Sequence, residues 1–433
     1  MQLRDHHGLE LSGASAAAAE NYRQAVHAYH CNAGDPFAPL EAALAERPDF
    51  VMAHVLTAYM TLLGGNAETQ RVGAEAFAAA KSLPATRREQ GHLAAIGSLL
   101  AGEIRAAARI LEDVSVEFPR DVLALQAGQL MDFLLGDSRN LRDRIGRALP
   151  AWSEGMPDHH AVLGMHAFGL EETALYDRAE AAGRRAVELE PRNNWAQHAV
   201  AHVLEMQDRR AEGVVWMTQD NTAWVPESLL AVHNWWHLGL FHLGLGDVEA
   251  ALALYDGPIY GTASDMPFDM ADAAAMLWRL KLLGVDVGDR WDRLAQVYAA
   301  SPRGQYAFDD AHAMMAFVGA GREAEAQAVL AAQTTAADGP GDNAVFAAEV
   351  GRPVCEALWA FGRGDAARAV DLLRNVRHRL PRFGGSHAQR DVFDLTLIEA
   401  ARQGGEQSLE RALRAERASA NPLAGPRSTP LAA

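Results

Sequence analysis

The sequence predicts an all-α protein built from stacked helix-turn-helix repeats. Helix-forming residues, Ala above all, dominate the 433-residue chain, and runs of β-branched residues are short. In addition, small residues recur at a regular spacing in the middle of the chain, and a proline closes the clearest of these repeats. Because one such repeat cannot bury its apolar face alone, neighbouring repeats stack, and we expect a right-handed superhelical solenoid.

The clearest repeat begins at residue 160. Its small residues Ala167, Ala179 and Ala186 stand at positions 8, 20 and 27, and Pro191 stands at position 32. This spacing matches the tetratricopeptide repeat (TPR), in which small residues let the first helix (helix A) pack closely on the second (helix B). Further units begin near Asn194, Val232 and Phe308. The spacing is irregular elsewhere, so we expect a degenerate TPR-like array.

We expect residues 1–420 to form one continuous solenoid, because no linker is long enough to separate independent domains. Outside the clear repeats, apolar periodicity predicts helices over residues 14–29, 51–63, 86–101, 105–117, 122–135, 344–361, 366–379 and 386–403. Gly and Pro predict longer loops over residues 256–267 and 333–343, and a break at Pro353. Residues 421–433 lack any period and are predicted to be a disordered tail.

The composition argues against several classes of partner. The net charge is −17 without a compensating Lys/Arg block, so a phosphate backbone is repelled and we expect no nucleic-acid partner. We see neither a membrane-spanning apolar window nor a signal-peptide pattern. Cys31 and Cys355 are too few for a disulfide framework. We therefore expect a cytoplasmic protein with no membrane partner, and leave homo-oligomerisation open.

Histidines concentrate on the first helices of the expected repeats. His198 and His202 are four residues apart and Glu205 follows three residues later, so all three share one helix face. In the TPR frame they occupy positions 5, 9 and 12, while Trp195 and Met206 occupy positions 2 and 13. These positions line the concave groove of TPR proteins. The sequence therefore predicts an aromatic ring, two imidazoles and a carboxylate together in a groove.

Neighbouring A helices add further groove candidates. The next A helix carries His233 and His237, again four residues apart, and Trp236. The remaining candidates are His166, Glu171 and Glu172 on the preceding A helix, Asp310 and His312 on a later one, His387 near the C-terminal end, and the tryptophans Trp224 and Trp235. We expect these residues to form one pocket that binds a small molecule or a peptide.

Three interpretations of the histidines stay open. Imidazoles and a carboxylate are good ligands for zinc or iron, but an HExxH motif is missing because Ala199 and Asn234 follow the first histidines. Imidazoles also exchange protons near neutral pH. Alternatively, the rings pack between helices and bond to neighbouring groups. The simplest expectation is that no cofactor is bound, with zinc or iron as the alternative.

If the site is catalytic, the residues have distinct expected roles. His198 and His202 act as acid and base or as metal ligands, and Glu205 orients an imidazole. His233 and His237 complete the set. Ser386 beside His387 has a structural role instead, because its spacing to Gln389 predicts a capping box that begins a helix.

Four histidine-bearing segments have a more specific pattern than a generic TPR. They read HAVAHVLEMQ, HNWWHLGLFHLGLGDVEAALALYD, DDAHAMMAF and GGSHAQRDVF. In these segments the chain resembles the tetratricopeptide repeat protein 38 family, over residues 29–401. The resemblance implies an α-helical solenoid with pocket residues in these segments, and it implies no established activity.

Two classes of function follow. In the first, the chain is a TPR-like binding or scaffold protein, although a groove of His, Trp and Glu differs from the basic clamps that hold peptide carboxylates. In the second, it is an enzyme, for example a hydrolase, that acts on a small apolar or aromatic molecule in the same pocket. The fold by itself decides neither.

Overall fold

The computed structural model describes residues 3–63, 67–225 and 228–420. Over these residues the chain is helical without a strand, and extended pairing is limited to two isolated bridges. The predicted all-α, TPR-like fold is confirmed. Contacts divide the chain into two compact units, Met1–Val203 with Asp220–Ala231 (unit 1) and Leu204–Gln219 with Val232–Ala433 (unit 2). One continuous solenoid stays a prediction, and the predicted tail lies outside the described residues.

The helices follow one another through short connections. The first twelve are α1 (Ala16–Cys31), α2 (Phe37–Glu46), α3 (Val51–Leu62), α4 (Ala67–Ala80), α5 (Arg87–Leu100), α6 (Ile104–Glu117), α7 (Val122–Leu134), α8 (Ser138–Ala148), α9 (His159–Glu171), α10 (Tyr176–Leu189), α11 (Asn194–Met206) and α12 (Arg210–Thr218). The next twelve are α13 (Asn221–Trp224), α14 (Ala231–Leu245), α15 (Val248–Leu254), α16 (Pro267–Leu282), α17 (Arg290–Ala300), α18 (Ala307–Gly319), α19 (Glu323–Ala337), α20 (Asp342–Phe346), α21 (Arg352–Gly362), α22 (Ala366–Val376), α23 (His387–Gln403) and α24 (Gln407–Ala420).

Most predicted helix boundaries agree with the structure to within about two residues. The structure corrects the prediction of a loop over residues 333–343, because α19 continues to Ala337. Gln333 is fully buried and donates to Asp310, while Thr334 bonds the carbonyl of Leu330, so helical geometry satisfies this polar run. Helix α2 was not predicted from the sequence. It tolerates Pro39 because this residue lies in the first turn, where a backbone donor is not needed.

The two other predicted irregularities are present in modified form. Residues 256–267 begin with a π-helical turn, Tyr255–Ile259, and remain irregular until α16 starts at Pro267. Pro353 lies in the first turn of α21, directly after a second π-helical turn, Ala347–Gly351. Proline removes a backbone donor and clashes with the preceding turn, so both helices are interrupted where the sequence carries one.

Side-chain caps fix several helix starts. The capping box predicted from Ser386 and Gln389 is confirmed at α23, and Thr86 with Glu89 forms a second one at α5. Aspartates accept from the first turns of four further helices, namely α7, α8, α15 and α22. Each cap contributes about 1 kcal/mol by satisfying backbone donors that have no intrahelical partner.

Small residues bring helix A and helix B together, as the repeat pattern predicts. In unit 1, Ala167, Ala179 and Ala186 on α9 and α10 are fully buried. A Cβ atom on Gly183 of α10 would stand 2.6 Å from Cγ2 of Val200, closer than side chains approach. Each of these positions therefore excludes a larger side chain, since overpacking a dense core is destabilising.

Close helix packing at small residues recurs in unit 2. Gly213 on α12 lies against the ring of Phe241 on α14, so a Cβ atom there would stand 2.5 Å from the ring. Gly239 on α14 lies equally close to Met276 on α16. Helix α16 packs against both α18 and α23. These close contacts hold α14, α16 and α23 as neighbours that can share one buried site.

A buried ion pair fixes α7 to α8 in unit 1. Nε and Nη2 of Arg144 donate to the two carboxylate oxygens of Asp132 at 2.7 and 2.9 Å, and Nη2 also donates to the carbonyl of Ala108. Both side chains are almost fully buried. Gly128 leaves room for the guanidinium, because a Cβ atom there would stand 2.7 Å from it. The pair therefore depends on both partners being present.

Replacing Arg144 with Met will destabilise the protein strongly. The substitution leaves Asp132 buried without its cation, which costs about 3–5 kcal/mol. The matched control is Arg139→Met on the same helix, whose side chain is 84% exposed beside Asp143 and whose loss costs under about 1 kcal/mol. Urea unfolding followed by circular dichroism measures both. Equal midpoints for the two variants would contradict this role of the pair.

Candidate functional site

Unit 1 brings together the first predicted histidine pair. His198 and His202 lie on one face of α11, with ring centroids 4.3 Å apart and planes nearly perpendicular. Both rings are buried, and Phe168 of α9 contacts each of them at 5.3 to 5.4 Å between centroids. Trp195 completes the wall at 5.1 Å from His198. The predicted combination of two imidazoles and an aromatic ring is therefore present within unit 1.

Carboxylates from the end of α9 face this histidine pair. Oε2 of Glu171 lies 3.5 Å from Nδ1 of His202, and both side chains are completely buried. Glu171, Glu172 and His202 each offer one atom within 4.8 Å of the others. Such a set of two carboxylates and one imidazole is able to hold a divalent cation. His166, one turn earlier on α9, is also buried, and burial lowers its pKa to about 4.

Unit 2 contains a buried histidine–aspartate pair. Nδ1 of His233 on α14 lies 2.8 Å from Oδ2 of Asp272 on α16, and both side chains are at most 2% exposed. Burial raises the pKa of Asp272, against the opposing effects of His233 and Gln389. The carboxylate fixes the ring orientation of His233 and assigns its hydrogen to Nδ1.

Aromatic rings surround His233. Trp236 stacks on it with 5.2 Å between centroids and 13° between planes, and Phe268 lies 4.6 Å away. His237 contacts the same ring edge-on at 4.8 Å. The guanidinium of Arg279 lies over the ring of Trp236, 5.3 Å from its centroid. The site in unit 2 therefore combines one oriented imidazole with a flat apolar wall.

Asn234 is a further buried polar group on α14. Its side chain is fully buried, and among the described residues neither its amide nitrogen nor its amide oxygen has a hydrogen-bond partner. An unsatisfied buried amide costs about 1–3 kcal/mol, so natural proteins seldom retain one without a reason. Nε1 of Trp236 is also buried without a hydrogen-bond partner among the described residues. Helix α14 thus carries hydrogen-bonding groups that the described part of the protein does not use.

The other predicted site residues are distributed as follows. Glu205 and Met206 are partly exposed within unit 2, and burial raises the pKa of Glu205. Trp224 is buried in unit 1, and Trp235 is partly exposed in unit 2. The prediction that His198, His202 and Glu205 meet His233 and His237 stays a prediction.

Three candidates lie on later A helices of unit 2. Asp310 of α18 accepts from the backbone of Gly304 and from Gln333, and burial raises its pKa to about 6. Nδ1 of His312 donates to the carbonyl of Phe308 at 2.8 Å. His387 is the first residue of α23 and is partly exposed. Asp310 and His312 thus make bonds that stabilise α18 and the loop before it.

Asp272 is the functional candidate that the sequence argument missed. It stands 39 residues after His233 and belongs to a helix with no histidine of its own. The available signal was the acidic residue itself, since Asp is uncommon among the apolar residues of a buried helix such as α16. Its partner was not foreseeable, because the pairing depends on which helices become neighbours.

These features define the molecule as a helical repeat protein with TPR-like helix pairs. No family model matches the chain. One solved structure with a weak likeness is the "Crystal structure of APC/C hetero-tetramer Cut9-Hcn1", with a TM-score of 0.39 and 11% sequence identity, covering 88% of this chain and 76% of that chain. The assignment to the class rests on the helix pairs and their small residues. None of the described helices is both long and apolar enough to cross a lipid bilayer.

Acidification will destabilise the protein through His312. Burial, assisted by Arg279 and opposed by the Phe308 carbonyl, lowers the pKa of His312 to about 4, below the unfolded value of about 6.5. The unfolded chain therefore binds more protons below pH 6.5, and the stability present at pH 7.5 is lost as the pH falls towards 4. At pH 5 this group accounts for a loss of about 2 kcal/mol.

Urea unfolding of His312→Gln at pH 7.5 and pH 5 checks this. We expect the loss of stability between the two pH values to be smaller in the variant than in the wild type. His378→Gln, at an exposed position, is the control and should follow the wild type. Identical pH dependence of all three proteins would show that His312 does not remain neutral in the folded state.

Proposed function

We propose that this TPR-like helical repeat protein binds a small molecule with a planar or aromatic group against His233 of unit 2. The observation that carries the proposal is the 2.8 Å bond between His233 and Asp272 in a buried setting. The sequence predicts a small molecule or a peptide in a groove lined by His, Trp and Glu. The proposal keeps the small molecule and assigns His233 as its central contact.

Two further observations support a ligand at this helix. Trp236 stacks on His233, and the partly exposed ring of Phe268 beside it offers a flat surface on which a ligand ring stacks favourably, with about 0.5–1.5 kcal/mol per aromatic pair. Asn234 offers one donor and one acceptor that have no partner among the described residues. Pockets for small molecules usually combine apolar walls with a few such polar groups. The resemblance to the tetratricopeptide repeat protein 38 family adds no ligand, because it implies no established activity.

A matched buried pair elsewhere in the chain separates binding from stability. In unit 1, Nε2 of His92 lies 2.9 Å from Asp121, which also accepts from Arg88, while the Tyr59 hydroxyl lies beside Nδ1 of His92. Both partners of this pair are as deeply buried as His233 and Asp272. Because both ring nitrogens of His92 have a protein partner, this pair has a structural role.

Ligand-observed NMR with a library of small aromatic acids and heterocycles tests the proposal. We expect compounds that bind the wild type and His92→Gln, and bind His233→Gln at least about tenfold more weakly, equivalent to ~1.4 kcal/mol. Trp236→Leu should weaken the same compounds, because it removes the stacking surface. Compounds that bind all variants equally, or no binding at all, would refute a ligand site at His233.

An enzyme is the second candidate function, favoured by the buried bond between His233 and Asp272. The carboxylate of Asp272 would orient the imidazole of His233 as a general base towards water or a ligand hydroxyl. Such general-base chemistry uses only the side chains of this pair. Hydrolysis of an ester or a related bond is the simplest reaction that this pair supports.

Saturable hydrolysis of para-nitrophenyl acetate measures this activity. We expect His233→Gln and Asp272→Asn to lower the initial rate by at least about tenfold, because general-base catalysis contributes about 10²–10⁴-fold. His92→Gln should retain the wild-type rate. A rate that is the same in all four proteins would rule out His233 as a base and leave the binding function as the proposal.

A further inference from the structure

The tripeptide Asp-His-His occurs twice in the chain, at residues 5–7 and 158–160. The structure brings the two copies together within unit 1, although about 150 residues separate them. Neither copy belongs to the predicted groove or to the site around His233. Two distant polar segments therefore meet at a place that the proposed function does not use.

Asp158 is the centre of this cluster. Its Oδ2 atom lies 2.7 Å from Nε2 of His6 and 3.0 Å from Nε2 of His7. Its Oδ1 atom lies 3.9 Å from Nδ1 of His27, on α1. The cluster thus places one carboxylate among three imidazoles.

The surrounding backbone holds these side chains in place. The turn that carries His6 and His7 is closed by the bond from Asp5 N to the Leu9 carbonyl, and Oδ1 of Asp5 accepts from the backbone of His7 and Leu9. Asp158 directly precedes α9 with a left-handed backbone, φ 57°. Local strain of this kind is retained where a side chain must be aimed.

The cluster opens on the solvent side. His6 and His7 line a cleft of about 290 Å³ that also borders α1 and the start of α7. His7 is buried, and its Nδ1 atom has no hydrogen-bond partner among the described residues. Nε2 of His7 donates to the Asp158 carboxylate, whereas no partner fixes Nδ1, so the ring hydrogen can move to Nδ1 when Nε2 has to present its lone pair.

Two imidazoles and one carboxylate match the preferences of a divalent first-row transition metal. Nitrogen donors favour zinc or iron(II) over calcium or magnesium, and a set of two histidines with one carboxylate leaves coordination positions open. The donor atoms of His6, His7 and Asp158 already lie within 4.8 Å of one another. Ligand atoms around tetrahedral zinc are about 3.3 Å apart, so each imidazole nitrogen, now 2.7 or 3.0 Å from the carboxylate oxygen, would move away from that oxygen by a few tenths of an ångström.

We infer that His6, His7 and Asp158 bind a divalent transition-metal ion, Zn²⁺ or Fe²⁺, with a coordination position open to the cleft. His27 lies beside the carboxylate as a fourth donor or a hydrogen-bond partner that orients it. On binding, the metal replaces the two hydrogen bonds: Nε2 of each ring presents its lone pair to the ion, and the ring hydrogen is carried on Nδ1. The ion then ties the N-terminal turn to the start of α9.

Metal analysis and titration of the full-length protein test the inference. We expect purified wild type, stripped with a chelator and reloaded, to take up one equivalent of Zn²⁺ or, under anaerobic conditions, Fe²⁺, measured by calorimetry and elemental mass spectrometry. His6→Gln, His7→Gln and Asp158→Asn should each weaken uptake at least about tenfold. Asn tolerates the left-handed region, so Asp158→Asn keeps the backbone while removing the charge.

Two control variants distinguish this site from histidines elsewhere in the chain. His54→Gln removes a histidine that bonds the Pro48 carbonyl, outside the cluster, and should leave uptake unchanged. His242→Gln removes a histidine that bonds Asp247, also outside the cluster, and should leave uptake unchanged as well. No uptake by the wild type, or uptake that is fully retained by both His7→Gln and Asp158→Asn, would overturn the inference. A thermal midpoint that rises with Zn²⁺ in the wild type but not in Asp158→Asn would support it.

Discussion

The close approach of helix A to helix B is the constraint on which the rest of this structure depends. In unit 1, Ala167 on α9 and Ala179 on α10 are fully buried, and Gly183 of α10 lies against Val200 of α11. In unit 2, Gly213 of α12 lies against α14 and Gly239 of α14 lies against α16, so close packing also joins each helix pair to the next. The apolar faces of each helix pair are buried within the pair and against the next pair. Neighbouring A helices are thereby held at fixed separations, which allows polar side chains on them to pair while buried.

Buried histidine–carboxylate pairs recur in the molecule with different surroundings. The pair of His92 and Asp121 is completed by Arg88 and Tyr59, so its polar atoms are used within the protein. The pair of His233 and Asp272 lies instead beside stacked aromatic rings and the unused amide of Asn234. A structural pair and a candidate ligand site contain the same residue types. They differ in whether the hydrogen-bonding groups around them all have partners within the protein.

The cluster around Asp158 follows a third arrangement. There a single carboxylate faces three imidazoles, and among the described residues no Lys or Arg side chain forms an ion pair with it. Imidazoles are weak counterions because they are charged only when protonated. The same ring nitrogen can either donate a hydrogen bond or, without its hydrogen, bind a metal ion. The rigid turn at Asp5 and the left-handed backbone at Asp158 pre-position these donors, which lowers the cost of assembling a site.

The sequence by itself determined the local structure: the helical class, most helix boundaries, the cap at Ser386, and the histidines of α11 and α14 on shared faces. These features follow from periodicity and neighbouring residues along the chain. Only the tertiary structure decided that His233 meets Asp272, 39 residues away, and that His7 meets Asp158, 151 residues away. Such pairings depend on which helices stack and on which polar groups become buried, and no local pattern encodes either.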